Sequence, residues 1–455
     1  MSGIRLENEI RDPIHDFIRL SDTEIKIVNS EAFQRLRRIR QLAFTYLVYP
    51  GALHTRYEHS LGTCHLAHRI ADRLEMSPKE EERIRLAALL HDIGHLPFSH
   101  VGEEIMEIVT PEESNKKSHE AISVALIRGV DAISGVLDSP SGPGVEEVVA
   151  LLEPRRGLID AEESSFGASI ISGQLDVDKM DYLLRDCHYT GVKYGIFDLD
   201  RLVNTVCKAD RERRIAFEEG AALAIEQMIL ARFFMQEQVY LHKTRVLADA
   251  MAIRAATLAM ECEPVAQRRF SFDEIMMNLD GYLSFDDESL TRSIVESTCA
   301  DARDLMLGLR NRRLLHSVVK LTLDKEQMPS EDLRIGISGM SKSHQELRRV
   351  ESEFAQELGF PPQRTIVNIQ SMKAPTVPAP GGTIDVDDVL IKDEDGNIRP
   401  MSQFVRILRT QNEESKRKEI LYVHAPADNW EDRDHRKEIM KKSRETIIRI
   451  LEGML

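Results

Sequence analysis

Apolar positions recur at spacings of three and four through EAFQRLRRIRQL, EHSLGTCHLAHRIADRL, KEEERIRLAALLHDIGH and SHEAISVALIRGV. Residues 31 to 130 therefore read as a succession of amphipathic helices. Ahead of them, EIRDPIHDFIRLSDTEIKI mixes β-branched residues with turn chemistry and predicts a short hairpin or extended arm, with helices beginning only at Glu31. The Gly, Ser and Pro content of DAISGVLDSPSGPGVE predicts a loop over 131–146. A further helix is expected to open near Asp176, which reads as its capping residue, and a long one to run from about Ala221 to Met260. Near the end, KAPTVPAPGGT reads as a connector, DVLIKDEDGNIRPM as a hairpin turning at DEDGN, EILYVHAP as a strand and HRKEIMKKSRETIIRILEGM as a charged closing helix. The expected fold class is mostly α, a helical core with a smaller α+β C-terminal lobe. The expected divisions are an arm at 1–30, the core at 31–215, a helical extension at 216–320 and the lobe at 321–455.

Composition narrows the class. With 455 residues, 42% of them apolar, the chain is able to bury one large core or two to three modest ones. No window approaches the roughly 20 uncharged apolar residues of a membrane span, and MSGIRLENEIRD carries no secretory apolar region, so a cytoplasmic location is expected. Five cysteines without CxxC spacing indicate free thiols, not a disulfide framework or a cysteine zinc site. The net charge of -16 disfavours a protein that grips long polyanions by counterion release. The local cluster RLRRIR, with Arg35, Arg37, Arg38 and Arg40, reads either as a solvated helix face or as a receiver for a small phosphorylated ligand.

The chemistry concentrates in LLHDIGHLPFSH, an apolar helix running into His91, Asp92, His95 and His100. An adjacent imidazole and carboxylate suit Zn, Fe, Ni, Mn or Mg, and a buried Asp92 would need a cation or strong donors. YEHSLG and QLDVDKMDY add His59 and Asp178, completing a His, His-Asp, Asp set with open positions. On a helix, His65 and His68 fall away from His59 and read as surface histidines. In DVDKMDYLLRDC, Met180, Leu183, Leu184 and Cys187 should face the core, whereas Asp178, Lys179, Tyr182 and Asp186 share another face. That face is either the wall of a site or a solvated stripe with i,i+4 pairing. Arg232, Gln236 and Tyr240 recur every four residues and share a face of the expected long helix.

In this order, HTRYEHSLG, LLHDIGHLPFSH, SHEA and LDVDKMDYLLRDCHYTG resemble the HD-domain phosphohydrolases. More narrowly they resemble the deoxynucleoside triphosphate triphosphohydrolases, which include bacterial dGTPases and the mammalian enzyme that joins a sterile alpha motif to an HD domain. DPIHDFIRL and FQRLRRIRQLAFTYLVYPGALHTRYEHS resemble the same subgroup, and the likeness is close from about residue 10 to 245. The resemblance implies a divalent ion (Mg, Mn, Fe, Zn or Ni) held by His59, His91, Asp92 and Asp178. It implies attack of water at the α-phosphorus of a dNTP, releasing deoxynucleoside and tripolyphosphate.

His95, His100 and His119 match the family's catalytic histidines, with His119 or His100 as proton donor to the leaving oxygen and Glu103 and Glu120 orienting the rings. Glu103 stands where related enzymes often carry Asp. Arg56, Lys179, Tyr182 and Arg232 match triphosphate contacts, Gln41 and Asp186 sugar contacts, and Leu42, Gln236 and Tyr240 complete the pocket. Gln34 and Arg37 match part of a regulatory nucleotide site, but Asn29 and Asn8 do not, which leaves an activating nucleotide undecided. A homo-oligomer, dimer or tetramer, is expected, with no membrane and with nucleic acid secondary. The competing readings are another HD phosphohydrolase (a nucleotidase, a cyclic nucleotide phosphodiesterase or a single-strand nuclease) and a non-catalytic nucleotide-sensing or nucleic-acid-binding protein.

Overall fold

A computed structural model describes residues 4–110, 119–153, 164–264, 268–324, 328, 330–340, 343–373, 388–405, 417–428 and 430–454. The chain opens with the antiparallel hairpin β1 (Asn8–Asp12) and β2 (Asp16–Leu20), in which Ile10 pairs with Ile18. Its turn is shaped by Asp12, whose carboxylate accepts the backbone N–H groups of Ile14 and His15 at 2.9 Å. Helix α1 (Asp22–Val28) follows at once, earlier than the expected helical start at Glu31. The signal for it is local: Ser21 and Glu24 form a reciprocal capping box, a pattern that starts a helix too short to show a period.

The body is built from α2 (Glu31–Arg35), α3 (Arg56–Arg73), α4 (Pro78–Leu90), α5 (His100–Val109), α6 (His119–Gly129), α7 (Asp131–Leu137), α8 (Val145–Leu152), α9 (Ser164–Ile171), α10 (Val177–Thr190) and α11 (Leu199–Thr205). Helix α4 has Pro78 in its first turn behind a Ser77–Glu80 capping box, so its start is fixed by sequence. It packs along α3, and α10 packs on α3 as well. Leu61, Leu66, Ala67, Ile70, Leu86, Leu89, Leu90, Met180 and Leu183 are buried in the shared core. The expected loop over 131–146 is shorter than predicted, because Ile133 and Leu137 are fully buried and hold 131–137 as α7. His65 and His68 are half-buried rather than surface residues: His65 stacks on His15 at 5.0 Å, and His68 pairs with Glu81 at 2.6 Å.

After the hairpin β3 (Val206–Ala209) and β4 (Arg214–Glu218) come α12 (Ala222–Met235) and α13 (Lys243–Cys262). The single long helix expected from about Ala221 to Met260 is thus two helices. A π turn over Gln236–Tyr240 ends the first, and His242 caps the second by accepting the N–H of Thr244. A π turn adds one residue per turn, which apolar spacing does not reveal. Helices α14 (Phe272–Met277), α15 (Leu279–Leu283), α16 (Asp287–Glu296) and α17 (Ala300–Arg310) complete the helical body.

The last part carries β5 (His316–Thr322), α18 (Glu331–Met340), α19 (His344–Leu358), β6 (Ile366–Lys373), β7 (Leu390–Lys392), β8 (Ile398–Pro400), β9 (Arg417–Ala425) and α20 (Arg433–Met454). Strands β5, β9 and β6 form an antiparallel sheet whose Val319, Leu321 and Val423 pack with Phe354, Ile447 and Leu451 as a second core. The hairpin β7–β8 pairs elsewhere: β7 runs parallel to β4, so this piece of the expected lobe completes the sheet of the helical body. Of the connector KAPTVPAPGGT, only Lys373 lies within the described residues. Among the described residues no helix is long and apolar enough to cross a membrane.

Body and lobe meet at a buried ion pair. Arg254 of α13 reaches Glu351 of α19 at 2.6 Å and the Thr365 carbonyl at 3.0 Å, while Glu351 also accepts the N–H of Val367. Both side chains are 4% exposed, so removing one partner strands a buried charge, at a cost of about 3–5 kcal/mol. We expect Arg254→Met to lower unfolding free energy in urea by about that amount, and Arg254→Met with Glu351→Gln to recover part of it. A single variant as stable as the wild type would show that the pair does not join the two cores.

Candidate metal centre and nucleotide pocket

His59 sits in the first turns of α3, which opens at the Thr55–Glu58 capping box, and its side chain is fully buried. Its Nδ1 meets Asp181 Oδ2 at 2.8 Å, leaving Nε2 toward Asp178 Oδ1 at 3.0 Å and Asp92 Oδ2 at 3.5 Å. His91 is the residue at which α4 ends; its Nδ1 meets the Ala88 carbonyl at 2.8 Å and its Nε2 lies 3.2 Å from Asp92 Oδ1 and 3.8 Å from Asp178 Oδ1. In both rings the outer nitrogen is engaged, which fixes the tautomer and aims the other lone pair inward. Neither Nε2 has a partner in hydrogen-bonding geometry, although both are buried.

His59, His91 and Asp178 present ligand atoms within 4.8 Å of one another, with Asp92 alongside. Two inward imidazole lone pairs and two carboxylates with no proton donor among them fit a divalent cation. Electrostatics agree. Burial alone would lower the pKa of His59, but Asp178 and Asp181 reverse this and push it up to about 10. Burial would raise that of Asp178, and the adjacent His59 and His91 rings hold it well below the usual carboxylate range. A positive charge is wanted where these groups converge.

The support of this centre was not visible in the sequence. Asp181, fully buried, accepts His15 Nε2 at 2.7 Å, His59 Nδ1 at 2.8 Å and the Arg185 guanidinium at 2.8 and 2.9 Å. Arg185 in turn reaches Asp12 at 2.8 Å. Gly62 makes room for this clamp, since a Cβ there would lie 1.9 Å from Asp181 Oδ1. Only the i,i+4 spacing of Asp181 and Arg185 hinted at it, and His15 and Asp12 come from the N-terminal hairpin turn.

The second half of LLHDIGHLPFSH forms a tight turn. Gly94 lets α6 approach, because a Cβ would lie 2.4 Å from the His119 carbonyl and 2.3 Å from the Ser123 nitrogen. Phe98 and Ser99 adopt positive φ of 58° and 56°, a strained backbone held by Asp287 of α16, which accepts the Phe98 N–H at 2.6 Å. Arg35, expected in a basic cluster on a solvated face or a ligand site, is fully buried and binds the carbonyls of His95, Phe285 and Ile93. The turn brings His95, His100 and His119 around Glu103. His119 Nδ1 is 2.5 Å from Glu103 Oε1, His95 Nδ1 3.2 Å from the same oxygen and His100 Nδ1 2.9 Å from Oε2. Burial would lower the pKa of His119, and Glu103 raises it. Burial takes that of His95 down to about 4. Glu120 is exposed at the start of α6.

Helix α10, capped by Asp176, carries the remaining candidate residues past the metal-binding group. Arg56, expected at the triphosphate, is turned inward: it is 5% exposed, with Nη1 2.5 Å from Asp92 Oδ2 and Nε 3.0 Å from Ser99 Oγ. The buried guanidinium takes the nearest anion. Lys179 bonds the Gly173 carbonyl at 3.0 Å and pairs with Asp176. Asp186 is buried and accepts Tyr240 Oη at 2.6 Å and His54 Nε2 at 2.7 Å. The Tyr182 and Tyr240 rings lie 6.4 Å apart, with burial pushing both phenols up and Arg232 pulling both down. Gln236 opens the π turn between Arg232 and Tyr240. Gln41 and Leu42 are buried, Gln41 donating its N–H to the His54 carbonyl at 3.1 Å. Gln34 and Arg37 bond each other at 2.9 Å, with Arg37 over the Tyr57 ring; Asn29 caps α1 and Asn8 reaches Asp22.

Comparison with known proteins gives the following. The HD domain matches residues 56–186 and the HD associated region residues 197–438. An uncharacterized protein of Methanocaldococcus jannaschii is 40% identical over 54% of this chain and 48% of its own length. The human deoxynucleoside triphosphate triphosphohydrolase SAMHD1 is 30% identical over 67% of this chain and 54% of its own. The chain spans about half the length of these two relatives. The crystal structure of a phosphohydrolase from Bacteroides thetaiotaomicron superposes with a TM-score of 0.70 at 27% identity, covering 92% of this chain and all of that one.

Asp181 is held well below the usual carboxylate range: burial alone would raise it, and Arg185, His15 and His59 outweigh that. The folded protein thus keeps it ionised where the unfolded chain takes up a proton, so its contribution is full above about pH 4 and is lost as pH falls further. We expect Asp181→Asn to cost about 3–5 kcal/mol at pH 7, and its stability to fall less steeply than the wild type's below pH 4. Thermal melts across pH 7 to 3 check this, and parallel curves would contradict it.

Proposed function

The chain belongs to the HD-domain phosphohydrolases, and from that premise we propose that it hydrolyses deoxynucleoside triphosphates to deoxynucleoside and tripolyphosphate. The observation that carries this reading is the content of one face of α10. Asp178 at its start belongs to the metal-binding group, and Asp186, eight residues on and about 12 Å along the axis, is a buried carboxylate oriented by His54 and Tyr240. Lys179 and Tyr182 lie between them, with Arg232 alongside. A carboxylate suits a sugar hydroxyl, and the cationic and phenolic groups suit phosphate oxygens. The substrate class is that of the human relative, a deoxynucleoside triphosphate triphosphohydrolase.

A divalent ion bound by His59, His91, Asp92 and Asp178 supplies Lewis acidity toward water and a phosphoryl oxygen. The rest falls to side chains. Asp186 and Gln41 bind and orient the sugar, while Leu42, Gln236 and Tyr240 shape the pocket beside it; the Tyr240 ring leaves little space for a 2′-hydroxyl. Lys179, Tyr182 and Arg232 take the triphosphate, and Arg56 holds Asp92 in place from beneath. His100 or His119, each fixed through Nδ1 by Glu103, gives a proton to the leaving 5′ oxygen. Glu120 remains the outer acidic group of this cluster, the place for an activating nucleotide is the Gln34–Arg37 face, and assembly into a homo-oligomer is part of the same reading.

The test is incubation of metal-loaded protein with each dNTP, followed by ion chromatography. Tripolyphosphate and deoxynucleoside in equal amounts are expected; monophosphate or pyrophosphate products would overturn the proposal in favour of another phosphohydrolase. Asp178→Ala should lose about 10³-fold or more, as removal of several kcal/mol of electrostatic stabilisation implies. His100→Ala and His119→Ala should each be read against the 10²–10⁴-fold range of general acid catalysis.

A further inference from the structure

The accessible cysteines of this chain are gathered at one corner of the helical body. Cys64 and Cys187 are buried and Cys207 is half-buried, whereas Cys262 is exposed and Cys299 partly so. Cys262 is the last residue of α13, and Cys299 is the residue from which α17 starts, with 36 residues between them. The two helices pack along each other. Their ends are also bound together beside the two cysteines. One oxygen of Glu263, which follows Cys262, accepts the Thr298 N–H at 2.7 Å, the Thr298 hydroxyl at 2.8 Å and the Ser297 hydroxyl at 3.1 Å. Those donors come from the two residues that precede Cys299. Ser297 Oγ in turn accepts the Cys299 N–H at 3.1 Å. A carboxylate with three donors on one oxygen is a firm tie, and these bonds hold Glu263 below the usual carboxylate range.

Held in this way, the two thiols meet. The Cys262 and Cys299 side chains share a hydrogen bond, through which Cys299 keeps the Cys262 thiol above its ordinary range. The Cys299 sulfur is not spent on the helix it opens, since no side-chain bond caps α17. Metal binding does not account for the pair either, because among the described residues neither cysteine belongs to a group of three metal-ligating side chains. We propose that Cys262 and Cys299 are a redox modification site, at which a low-molecular-weight disulfide such as oxidised glutathione is exchanged for a disulfide within the chain. Cys299, the acceptor of the shared hydrogen bond, attacks one sulfur of the oxidant as thiolate, and one glutathione leaves. Cys262 then loses its proton and attacks Cys299 Sγ in the mixed disulfide, expelling the second glutathione. Two protein thiols are oxidised, one small disulfide is reduced to two thiols, and the two protons end on the departing glutathiones.

The bond fastens the end of α13 to the corner between α16 and α17. Helix α16 begins with Asp287, which accepts the Phe98 N–H in the turn after the His-Asp pair, and α13 carries Arg254 to the lobe. Oxidation therefore stiffens the support behind that turn without engaging any residue of the metal-binding group.

The experiment needs no turnover. Full-length protein, reduced and freed of reductant, is equilibrated with mixtures of oxidised and reduced glutathione. Its intact mass is taken, and a portion blocked with iodoacetamide is digested with trypsin. The wild type should lose about 2 Da, the two thiol hydrogens, and should yield peptides 255–268 and 293–303 joined through Cys262 and Cys299. Its melting temperature should rise by about 5 °C on oxidation, as a closed loop of this length implies, and should fall back with dithiothreitol. Cys299→Ser and Cys262→Ser each change an accessible side chain; each should keep glutathione on the remaining cysteine, form no cross-link and show no comparable rise. A wild type that carries glutathione on both cysteines, that joins Cys262 to a second copy of the chain, or that keeps both thiols in fully oxidised glutathione would overturn the proposal. The same rise in melting temperature in Cys299→Ser would overturn it as well.

Discussion

The carboxylate of Asp181 is the constraint on which the centre depends. It is fully buried and is shared by His15, His59 and Arg185. Because it accepts from His59 Nδ1, it decides which nitrogen of that ring faces the metal-binding group. Because it pairs with Arg185, which continues to Asp12, it ties the N-terminal hairpin turn to α10 and α3 at once. Three segments far apart in the chain are therefore fixed by one ion cluster, in which any member removed leaves the others buried and uncompensated.

The second constraint is the turn that follows the His-Asp pair. Its positive-φ residues Phe98 and Ser99 do not hold themselves. Asp287 binds one from α16, Ser99 donates to the Arg40 carbonyl, and Arg35 satisfies carbonyls of the turn from beneath. The helices after residue 216 thus support the turn that carries His95 and His100. This division of labour explains why so many buried charges lie around the centre: they hold backbone and rings that local propensity would release.

Chemistry was more legible in the sequence than its support. His59, His91, Asp92 and Asp178 stand in short motifs, and the structure brings them together, as it does His95, His100 and His119 around Glu103. Asp181 was hidden because it falls between the apolar stripe and the polar face of α10, where periodicity assigns no role. Arg56 and Arg35 look from sequence like cations for a ligand, and only burial shows that they serve carboxylate and carbonyl groups within the fold. Helix α1 was too short for a period, α7 was masked by its Gly and Ser residues, and the π turn at 236–240 inserts a residue without altering the apolar pattern. For α7 tertiary burial decides the outcome, whereas α1 is announced only by its local Ser21–Glu24 cap.

The pairing of β4 with β7 has a consequence for how the molecule is made. Phe217 finds its strand partner at Ile391, so one edge of the sheet beside α11 stays open during synthesis until roughly 170 further residues have been added, some ten to thirty seconds at ribosomal speeds. The loop that closes is long, and its entropy falls late in folding. An unpaired strand edge is a template for intermolecular association, so the exposure of β4 is greatest in the nascent chain and ends when β7 arrives.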